Sequence, residues 1–542
     1  MLELRQILEL SSSNVVYISA ICVIGLIMVL VPLTAQAHLS EIETVSLKTT
    51  IGDAAYSATY NVAVTCTDTI LAYGLNLFVP HNDPSDHYVI DGGSIRLGTT
   101  TLAHASYTTE KEHMSVNLLG RHDGMKYPLL IPQYSPLIIP ISVTDSEPGL
   151  PAKATLDITY EGNPDTTCRT SEIRGPQNIG LMVRMSLERG MDRIVAANMA
   201  VSDYNQYLES IGEQWRLELV VKDSGLKADE ALESIQEFTD EDIRLIVGPS
   251  SSGSISAIRE HIHHNDMLVI SCCSTAPSLS LPDHIFRITP DDTNQAKALA
   301  RIMVDDGIIS VVVAYRDDPY GQGLYRALAV EMEKRGSVVA AGVPYPTDTT
   351  NFDDVAQSLA DEIDGISNAA IVAISSSEVA SLIESAMKHD ILDDVKWYGS
   401  EAVVNHRDVA HGDMGAFSEK VALSGAIVAA PSSPLRNDLE PRLVAELGLQ
   451  PGEAPSTFLY SMYDAILILG KAILSTQSTD TERLVEAIPY VAAHTHGVFP
   501  DRLDENGDLA ITNYGIWEVR DAAWVRTGTF VQDTDVIVPY LP

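Results

Sequence analysis

Cysteine and basic residues are scarce in this sequence, and each shortage excludes a class of protein. Five Cys in 542 residues are too few for a small scaffold held together by disulfides. Lys and Arg number 35 against 74 Asp and Glu, which gives a net charge of −39. A nucleic-acid-binding protein needs basic residues on one face, so we expect no nucleic-acid partner.

Common enzyme motifs are also missing, because the sequence contains no G-x-S-x-G, H-E-x-x-H or C-x-x-C, the signatures of several hydrolases and redox or metal enzymes. His261, His263 and His264 lie together on a predicted surface helix, where solvated side chains are favoured over a zinc site. We therefore predict a binding protein that is not an enzyme and has no metal or cofactor.

One long apolar run lies near the start of the chain, at residues 15–33, with no charge and a single polar residue, Ser19. Ala35-Gln36-Ala37 follows it and matches a signal-peptidase site, which would leave His38 at the new terminus. The length of the run also fits a membrane span. Residues 1–37 are therefore predicted to be a signal peptide or a membrane anchor, with the rest of the chain outside the cytoplasm.

Residues 38–160 are predicted to form a small all-β sandwich, because short β-branched runs alternate with turn signals and no helical period persists. A spacer or docking role is favoured. The alternative is a copper site built from His38 and another histidine of this segment, for which the candidates are His81, His87, His104, His113 and His122.

The positions of the cysteines are consistent with export to an oxidising compartment. Cys66 and Cys168 are disulfide candidates, with two unpaired thiols as the alternative. Cys22 lies in the apolar run, and the adjacent Cys272 and Cys273 are expected not to bridge each other.

A polar segment rich in turn signals, residues 161–177, is predicted to be a linker. From residue 178 onward, short apolar strands alternate with amphipathic helices. That alternation predicts parallel sheets covered on both faces. Residues 178–542 exceed the usual size of one core, so two α/β lobes are predicted.

Four polar loops follow predicted strands, which is where ligands bind in open parallel sheets. They span residues 248–254, 271–279, 317–323 and 398–402. The first opens a helix with hydroxyls and N–H groups that suit a carboxylate, although an ordinary helix N-cap has the same pattern. The last contains Glu401, a candidate partner for an ammonium group.

In this order and spacing, the four loops resemble those of type I periplasmic binding proteins of the branched-chain amino-acid family, the solute receptors of ABC importers. The resemblance covers residues 178–542 and includes the segment 497–508, which is similar to the family's penultimate hairpin. It implies a two-lobed clamshell, with lobe 1 formed by about 178–290 and 426–500 and lobe 2 by about 291–425 and 501–542. Hinge strands are expected near 290, 425 and 500.

The resemblance also implies roles for individual residues. The hydroxyls of Ser252 and Thr275 would hold a ligand carboxylate with help from the backbone of Cys273 and Ser274, while Glu401 would take an ammonium group and Tyr320 would close over the ligand. The chain departs from the family at Cys272-Cys273, where small residues are usual, and at residues 375–377, three serines where an aromatic residue is often found. Ser376 is predicted to be a further ligand-binding residue. Both departures alter the expected side-chain preference for the solute.

These observations predict an extracytoplasmic receptor that binds a small polar solute, most simply a branched-chain amino acid, and delivers it to an ABC permease. A urea or amide receptor of the same family is one alternative. A ligand-sensing or cell-envelope interaction protein without a transport role is another.

Overall fold

A computed structural model describes residues 41–540, except for gaps at 54–57, 81–86, 91–94, 98–99, 104–106, 110–112, 118–128, 145–150, 164–165, 171–172, 187, 212, 226, 451–452, 500–501 and 511. The predicted signal or anchor segment, Cys22, and His38, His81, His104 and His122 of the copper alternative lie outside the described residues, as do the side chains of His87 and His113.

The first part of the described chain is all β. Two antiparallel sheets have the orders β1-β11-β3-β8, with β9 also on β3, and β12-β2-β10-β4-β7, with β5 and β6 at the side. In β11, Leu156, Ile158 and Tyr160 are buried while the residues between them are more exposed, which is the alternation of a sheet with one covered face. The strands are Glu41–Asp53, Ala58–Cys66, Ile70–Pro80, His87–Ile90, Ile95–Leu97, Thr100–Ala103, Tyr107–Thr109, His113–Asn117, Leu129–Ile131, Leu137–Thr144, Pro151–Gly162 and Cys168–Thr170 (β1–β12).

Cys66 and Cys168 face each other across β2 and β12 and form a disulfide with a Cα–Cα distance of 4.0 Å. Because of this pairing, the connection between the β domain and lobe 1 is shorter than the linker predicted at residues 161–177. Residues 168–170 complete a sheet, and the next strand already begins at Gly175. The polar sequence of this segment obscured the strand, because its position depends on the bridge to a cysteine 102 residues away in the sequence.

Lobe 1 begins with a parallel sheet of order β14-β13-β15-β16-β17. Every residue of its last three strands is buried, as expected when helices cover both faces of a sheet. The elements are Gly175–Val183 (β13), Glu188–Ile211 (α1), Trp215–Asp223 (β14), Ala228–Asp240 (α2), Leu245–Val247 (β15), Ser252–His264 (α3), Leu268–Ser271 (β16) and Ile285–Arg287 (β17).

Lobe 2 repeats this order in β19-β18-β20-β21-β22 and adds three antiparallel strands, β23-β24-β25, at the edge after β22. Its helices are Asp292–Asp305 (α4), Pro319–Lys334 (α5), Asp353–Ile363 (α6), Val379–Ala386 (α7), Asp390–Asp393 (α8) and Gly412–Lys420 (α9). Its strands are Ser310–Arg316, Val338–Tyr345, Ala369–Ile374, Lys396–Gly399, Ser424–Val428, Tyr514–Arg520, Ala523–Val531 and Val536–Pro539 (β18–β25).

Three more helices return to lobe 1: Pro434–Leu447 (α10), Thr457–Thr476 (α11) and Thr481–His494 (α12). Among the described residues, α11 alone is long and apolar enough to cross a membrane, with a mean hydropathy of 1.4. It packs against α1 and β16, and 83% of its apolar window is buried inside the protein. It therefore serves as the central helix of lobe 1.

The chain crosses between the lobes three times, and the third crossing lies further along the chain than the sequence predicted. The first, near residue 290, falls between β17 and α4. The second follows β22, which belongs to the lobe 2 sheet and ends at Val428. The third ends only at Tyr514, because residues 503–509 form a turn that stays against β17. The pattern of apolar residues marks these strands but not the sheet that each one joins.

The third crossing is anchored by a buried acid. Asp464 of α11 accepts the backbone N–H groups of Val498 and Phe499 at 2.9 Å. Burial raises the pKa of Asp464 to about 7, although these two hydrogen bonds favour its charged form. This crossing is therefore fixed to the core of lobe 1 at its start.

Replacing Cys66 and Cys168 together by serine is expected to destabilise the β domain, because the bridge closes a loop of 102 residues in sequence. Removing such a cross-link costs about 2–5 kcal/mol. Differential scanning calorimetry should show a lower unfolding temperature for the β domain alone. The paired Cys272→Ser and Cys273→Ser substitutions are the control, and an unchanged β-domain transition in the first variant would contradict this expectation.

Candidate functional site

The four predicted loops meet where the two lobes face each other. Each follows a parallel strand: β15 and β16 in lobe 1, and β18 and β21 in lobe 2. Because the carboxyl ends of parallel strands lie at one edge of a sheet, the loops of each lobe are brought to the same cleft. The lobes are in contact, since a Cβ atom placed on Gly323 of α5 would lie 2.7 Å from Cδ of Pro277.

Ser252 is the first residue of α3, and its hydroxyl is almost completely buried. Its Oγ accepts the backbone N–H groups of Thr275 and Ala276 at 3.2 and 3.1 Å. A hydroxyl oxygen has two acceptor positions and one proton. Both acceptor positions are therefore occupied, and the Ser252 hydroxyl is left as a hydrogen-bond donor, as a ligand carboxylate requires.

The helix N-cap is the preceding residue. Ser251 Oγ accepts the N–H group of Ser254 at 3.2 Å and a hydrogen bond from Arg184 Nη2 at 3.0 Å. The predicted alternative of an ordinary cap therefore applies to Ser251 and leaves Ser252 available. A cavity of about 440 Å³ is lined at the start of α3 by Gly253 and Ser254, but not by Ser252, and it has walls from both lobes, which include Arg184, Lys227, Arg316, Asp318 and Thr347.

A buried ion pair fixes the loop that contains Thr275. The guanidinium of Arg287 donates from Nε and Nη2 to the carboxylate of Asp508. Its Nη1 donates to the carbonyl oxygens of Ser274 and Ala276 at 3.1 and 2.9 Å. The residues on either side of Thr275 are thus held to β17 and to the turn at 503–509.

Glu401 of lobe 2 lies against lobe 1 and is nearly completely buried. The nearby side chains of Thr275 and Gln295 favour the charged form of its carboxyl group. Gln295 of α4 accepts the Glu401 N–H group at 3.2 Å and approaches Asp292 Oδ1 at 3.5 Å with its amide nitrogen. The structure therefore brings a second acid, Asp292, to the same place.

Burial raises the pKa of both acids. Desolvation raises the pKa of Asp292 well above its ordinary value, and the negative charge of Glu401 raises it further. Desolvation raises the pKa of Glu401 to about 8, although Thr275 and Gln295 stabilise its charged form. Asp292 Oδ2 and Glu401 Oε2 are buried and have no hydrogen-bond partner among the described residues. A cationic group between the lobes would satisfy both oxygens.

Two tyrosines complete this part of the site. Tyr320, in the first turn of α5, and Tyr514, at the start of β23, both have a strongly raised pKa because of burial and the nearby charges of Glu401 and Asp292. Both phenols are therefore neutral at ordinary pH. Tyr320 lies beside Glu401, in the position that suits a side chain closing over a ligand.

Other predicted site residues are arranged differently. The N–H groups of Cys273 and Ser274 point to Ser271 Oγ at 3.4 and 3.3 Å, so they are not free for a ligand. Ser376 donates its N–H group to Glu378 at 3.3 Å. Glu378 pairs with Arg316, which lines the cavity described above. Ser376 therefore lies beside this cavity and not with Thr275.

The expectation that Cys272 and Cys273 stay unbridged was wrong, because the structure joins them in a disulfide. The chain bends directly after β16, at the two cysteines. This bend turns both sulfur atoms to the same side. The bridge forms part of the loop that leads to Thr275.

The histidines considered for zinc have other neighbours. His261 Nε2 lies 2.7 Å from the Thr239 hydroxyl, and His263 lies 3.7 Å from Asp283. Within the described ranges, no group of three or more His, Cys, Asp or Glu residues is gathered closely enough to hold a metal ion.

Comparison with known proteins agrees with this geometry. The model of the receptor family ligand binding region matches residues 193–521, more than half of the chain. The chain belongs to this family. Its fold is the type I periplasmic-binding-protein clamshell: the leucine-binding protein LivK of Thermotoga maritima matches with a TM-score of 0.57 and 20% identity, over 66% of this chain and 99% of that chain.

Two curated relatives of this receptor-family chain are informative. An uncharacterized protein of Methanocaldococcus jannaschii is 24% identical over 396 residues, which cover 69% of this chain and 94% of the other. The chemotactic signal transduction substrate-binding protein BasB of Halobacterium salinarum is 31% identical over 121 residues, 20% of this chain and 29% of that protein. The family and its fold neighbours are binding proteins rather than enzymes.

Asp292, Gln295, Arg287 and Asp508 were not predicted from the sequence. Asp292 follows the helix N-cap Asp291, and an acid in the first turn of a helix is ordinarily explained by the helix dipole. Asp508 was considered only as part of the hairpin-like segment 497–508, but its carboxylate forms an ion pair with Arg287. Arg287 and Asp508 could have been predicted only from their pairing with each other. A single sequence does not reveal that a buried Arg pairs with a distant Asp.

Asp508→Asn is expected to destabilise the clamshell by about 3–5 kcal/mol, because it leaves the fully buried Arg287 guanidinium without its counter-ion. Urea unfolding followed by circular dichroism measures this loss. Asp504→Asn is the matched control, since Asp504 Oδ1 accepts two backbone N–H groups that an Asn oxygen also accepts. Equal stabilities of the two variants would show that the ion pair is dispensable.

Proposed function

We propose that the protein is the extracytoplasmic receptor of an ABC importer and binds an amino acid of the branched-chain type between its two lobes. The observation that carries this proposal is the pairing of a hydroxyl donor, Ser252, with a buried acid, Glu401, across the closed cleft. In this arrangement, Ser252 faces the ligand carboxylate and Glu401 faces the ammonium group. The permease would recognise the closed form.

The lobe 1 side supplies hydrogen-bond donors for the carboxylate. The Ser252 hydroxyl has its proton available, since its oxygen already accepts two N–H groups. It also lies at the N-terminus of the 13-residue helix α3, where the helix dipole favours negative charge. Arg184 donates a hydrogen bond to the neighbouring residue, Ser251. Its guanidinium therefore adds positive charge close to Ser252.

The lobe 2 side supplies acceptors for the ammonium group. Glu401 Oε2 and Asp292 Oδ2 are buried without partners among the described residues, and an ammonium group carries three donors. Charge-assisted hydrogen bonds contribute about 1.5–3 kcal/mol each. A zwitterion therefore satisfies both sides of the cleft, while a neutral amide leaves the acids unpaired.

A thermal-shift screen of the purified protein against amino acids, urea and short amides tests this proposal. A ligand at about 100 times its dissociation constant adds about 2.7 kcal/mol of stability. Leucine, isoleucine or valine should raise the unfolding temperature of the clamshell. If only urea or amides raise the unfolding temperature, the solute is an amide and not an amino acid. If no compound raises it, the protein is not a receptor for these solutes.

A second candidate, presentation of the bound solute to a chemotaxis receptor, is favoured by the similarity to BasB. The site and the ligand would be the same, and only the partner in the membrane differs. Co-purification with a permease or with a chemotaxis transducer from detergent-solubilised membranes distinguishes the two functions.

Glu401→Ala is expected to weaken leucine binding by roughly 10- to 150-fold, the equivalent of one charge-assisted hydrogen bond. Binding of a neutral amide, if any is found, should be spared. Isothermal titration calorimetry measures both affinities, with the exposed Glu333→Ala of the same lobe as the control. Equal losses for the amino acid and the amide would exclude the ammonium-binding role of Glu401.

Gly323→Ala is expected to weaken binding by obstructing closure, because its Cβ would lie 2.7 Å from Cδ of Pro277 in the other lobe. The added methyl group also raises helix propensity by about 1 kcal/mol, so α5 itself should not be destabilised. Small-angle X-ray scattering with saturating leucine should show a larger radius of gyration than wild type. Unchanged affinity and unchanged compaction would show that closure does not use this contact.

A further inference from the structure

The disulfide between Cys272 and Cys273 joins neighbouring residues, and in this it differs from the cross-link of the β domain. In the chain-entropy account, a disulfide stabilises a protein by restricting the unfolded chain, and the effect grows with the length of the closed loop. Cys66 and Cys168 are 102 residues apart in sequence, whereas Cys272 and Cys273 are adjacent. The second bridge therefore adds little stability by this route, and breaking it leaves the fold intact.

The bridge lies between two fixed points of the loop that leads into the cleft. On one side, Ser271 is the last residue of β16 and is completely buried. On the other side, the buried guanidinium of Arg287 donates to the carbonyl oxygen of Ser274 at 3.1 Å. Only Cys272 and Cys273 separate these points, so the bridge determines how the backbone passes from one to the other.

The bend at the two cysteines directs the N–H groups that follow it. Neighbouring side chains of an extended chain point to opposite sides, and the bridge prevents this by joining Cys272 to Cys273. One residue further on, the N–H groups of Thr275 and Ala276 donate to Ser252 Oγ at 3.2 and 3.1 Å. These two hydrogen bonds leave the Ser252 hydroxyl as a donor to the cleft. The bridge is therefore linked through the backbone to a candidate ligand-binding group.

We propose that the Cys272–Cys273 pair is a redox switch of the ligand site, in which the disulfide form binds the solute strongly and the dithiol form binds it weakly. A dithiol reductant such as dithiothreitol supplies two electrons and two protons. The S–S bond breaks, two thiols form, and the reductant becomes a disulfide. The N–H groups of Thr275 and Ala276 are then no longer held on Ser252. The solute rests on the proposed function above, but the change in the loop does not.

The bridge lies where separation of the lobes gives access to it. In the closed form, Cys272 is completely buried and Cys273 is 8% exposed. The turn Pro277–Leu279, at the end of the same loop, packs against α5 of lobe 2. When the lobes open, α5 withdraws from this loop and a small reductant reaches the bridge. A solute that keeps the lobes closed therefore slows the reduction.

The coupling between reduction and binding is reciprocal. If reduction weakens solute binding by a given factor, the bound solute makes reduction less favourable by the same factor. Loss of one neutral hydrogen bond at Ser252 corresponds to roughly a 2- to 10-fold change in affinity. For this two-electron couple, a tenfold factor lowers the midpoint potential of the pair by about 30 mV.

Hydrogen exchange measured by mass spectrometry tests the change in the loop without any solute. The folded, ligand-free protein is treated with dithiothreitol, and alkylation in denaturant then shows which bridge has opened. Once Cys272 and Cys273 are reduced, the N–H groups of Thr275 and Ala276 should exchange faster, while those of α11 should not change. If the bridge resists reduction in the folded protein, or opens with no change in exchange, the proposal is overturned.

The Cys272→Ala and Cys273→Ala double variant separates this bridge from the one between Cys66 and Cys168. It should exchange at Thr275 as fast as the reduced wild type, both with and without dithiothreitol. Any response to dithiothreitol that it retains belongs to the β-domain bridge. If its exchange equals that of the oxidised wild type, the bridge does not control the loop and the proposal is overturned.

Calorimetric titration with leucine, before and after reduction, tests the effect on binding. Reduced wild type should bind roughly 2- to 10-fold more weakly than the oxidised protein, and the double variant should bind as weakly in both conditions. Equal affinities of oxidised and reduced wild type would overturn the proposal. If no amino acid binds in either state while the exchange of the loop changes, the amino-acid assignment fails and the redox-dependent loop stands.

Discussion

The buried guanidinium of Arg287 is the interaction on which the rest of the site depends. It joins three segments that are far apart in sequence: β17, the loop around Thr275, and the turn that contains Asp508. The second of these supplies the lobe 1 side of the cleft, and the third belongs to the third crossing between the lobes. Because the pair is fully buried, removing one partner leaves an uncompensated charge. The geometry of the ligand site and the path of the hinge are therefore linked.

The two sides of the cleft have opposite electrostatic character. Lobe 1 presents a helix N-terminus and the Ser252 hydroxyl, whose oxygen is already saturated by two N–H groups. Lobe 2 presents Glu401 and Asp292, with two tyrosines around them. Closing the lobes removes both sides from water, where each unsatisfied polar group becomes costly. Under the proposed function, this site selects a molecule with an anionic and a cationic end, and binding of that molecule shifts the balance between open and closed forms.

Much of the fold followed from the period of apolar residues. The predicted alternation of strands and helices from residue 178 onward is observed, for example in the helix Glu188–Ile211 and the strand Ala369–Ile374. Domain boundaries were harder to predict. For example, Cys168–Thr170 forms a strand only because it pairs with β2. Long, periodic segments carry their own structural signal, whereas short strands depend on partners that a local pattern does not contain.

The site was predictable in part. The loop order predicted Ser252, Thr275, Tyr320 and Glu401 as ligand-binding residues, and the structure brings these four residues to the lobe interface. Their ligand-binding role stays a prediction. Asp292 was missed, because an acid at the start of a helix has an ordinary explanation and its burial arises only when lobe 1 covers it. The Cys272–Cys273 bridge was missed because it depends on a bend of the backbone.

A crystal structure of the protein with leucine would show directly how the solute lies between the lobes. We expect the ammonium group within hydrogen-bonding distance of Glu401 and Asp292, and the carboxylate accepting a hydrogen bond from the Ser252 hydroxyl at the start of α3. Leucine bound in the reverse orientation, or bound outside the cleft between the lobes, would contradict this expectation.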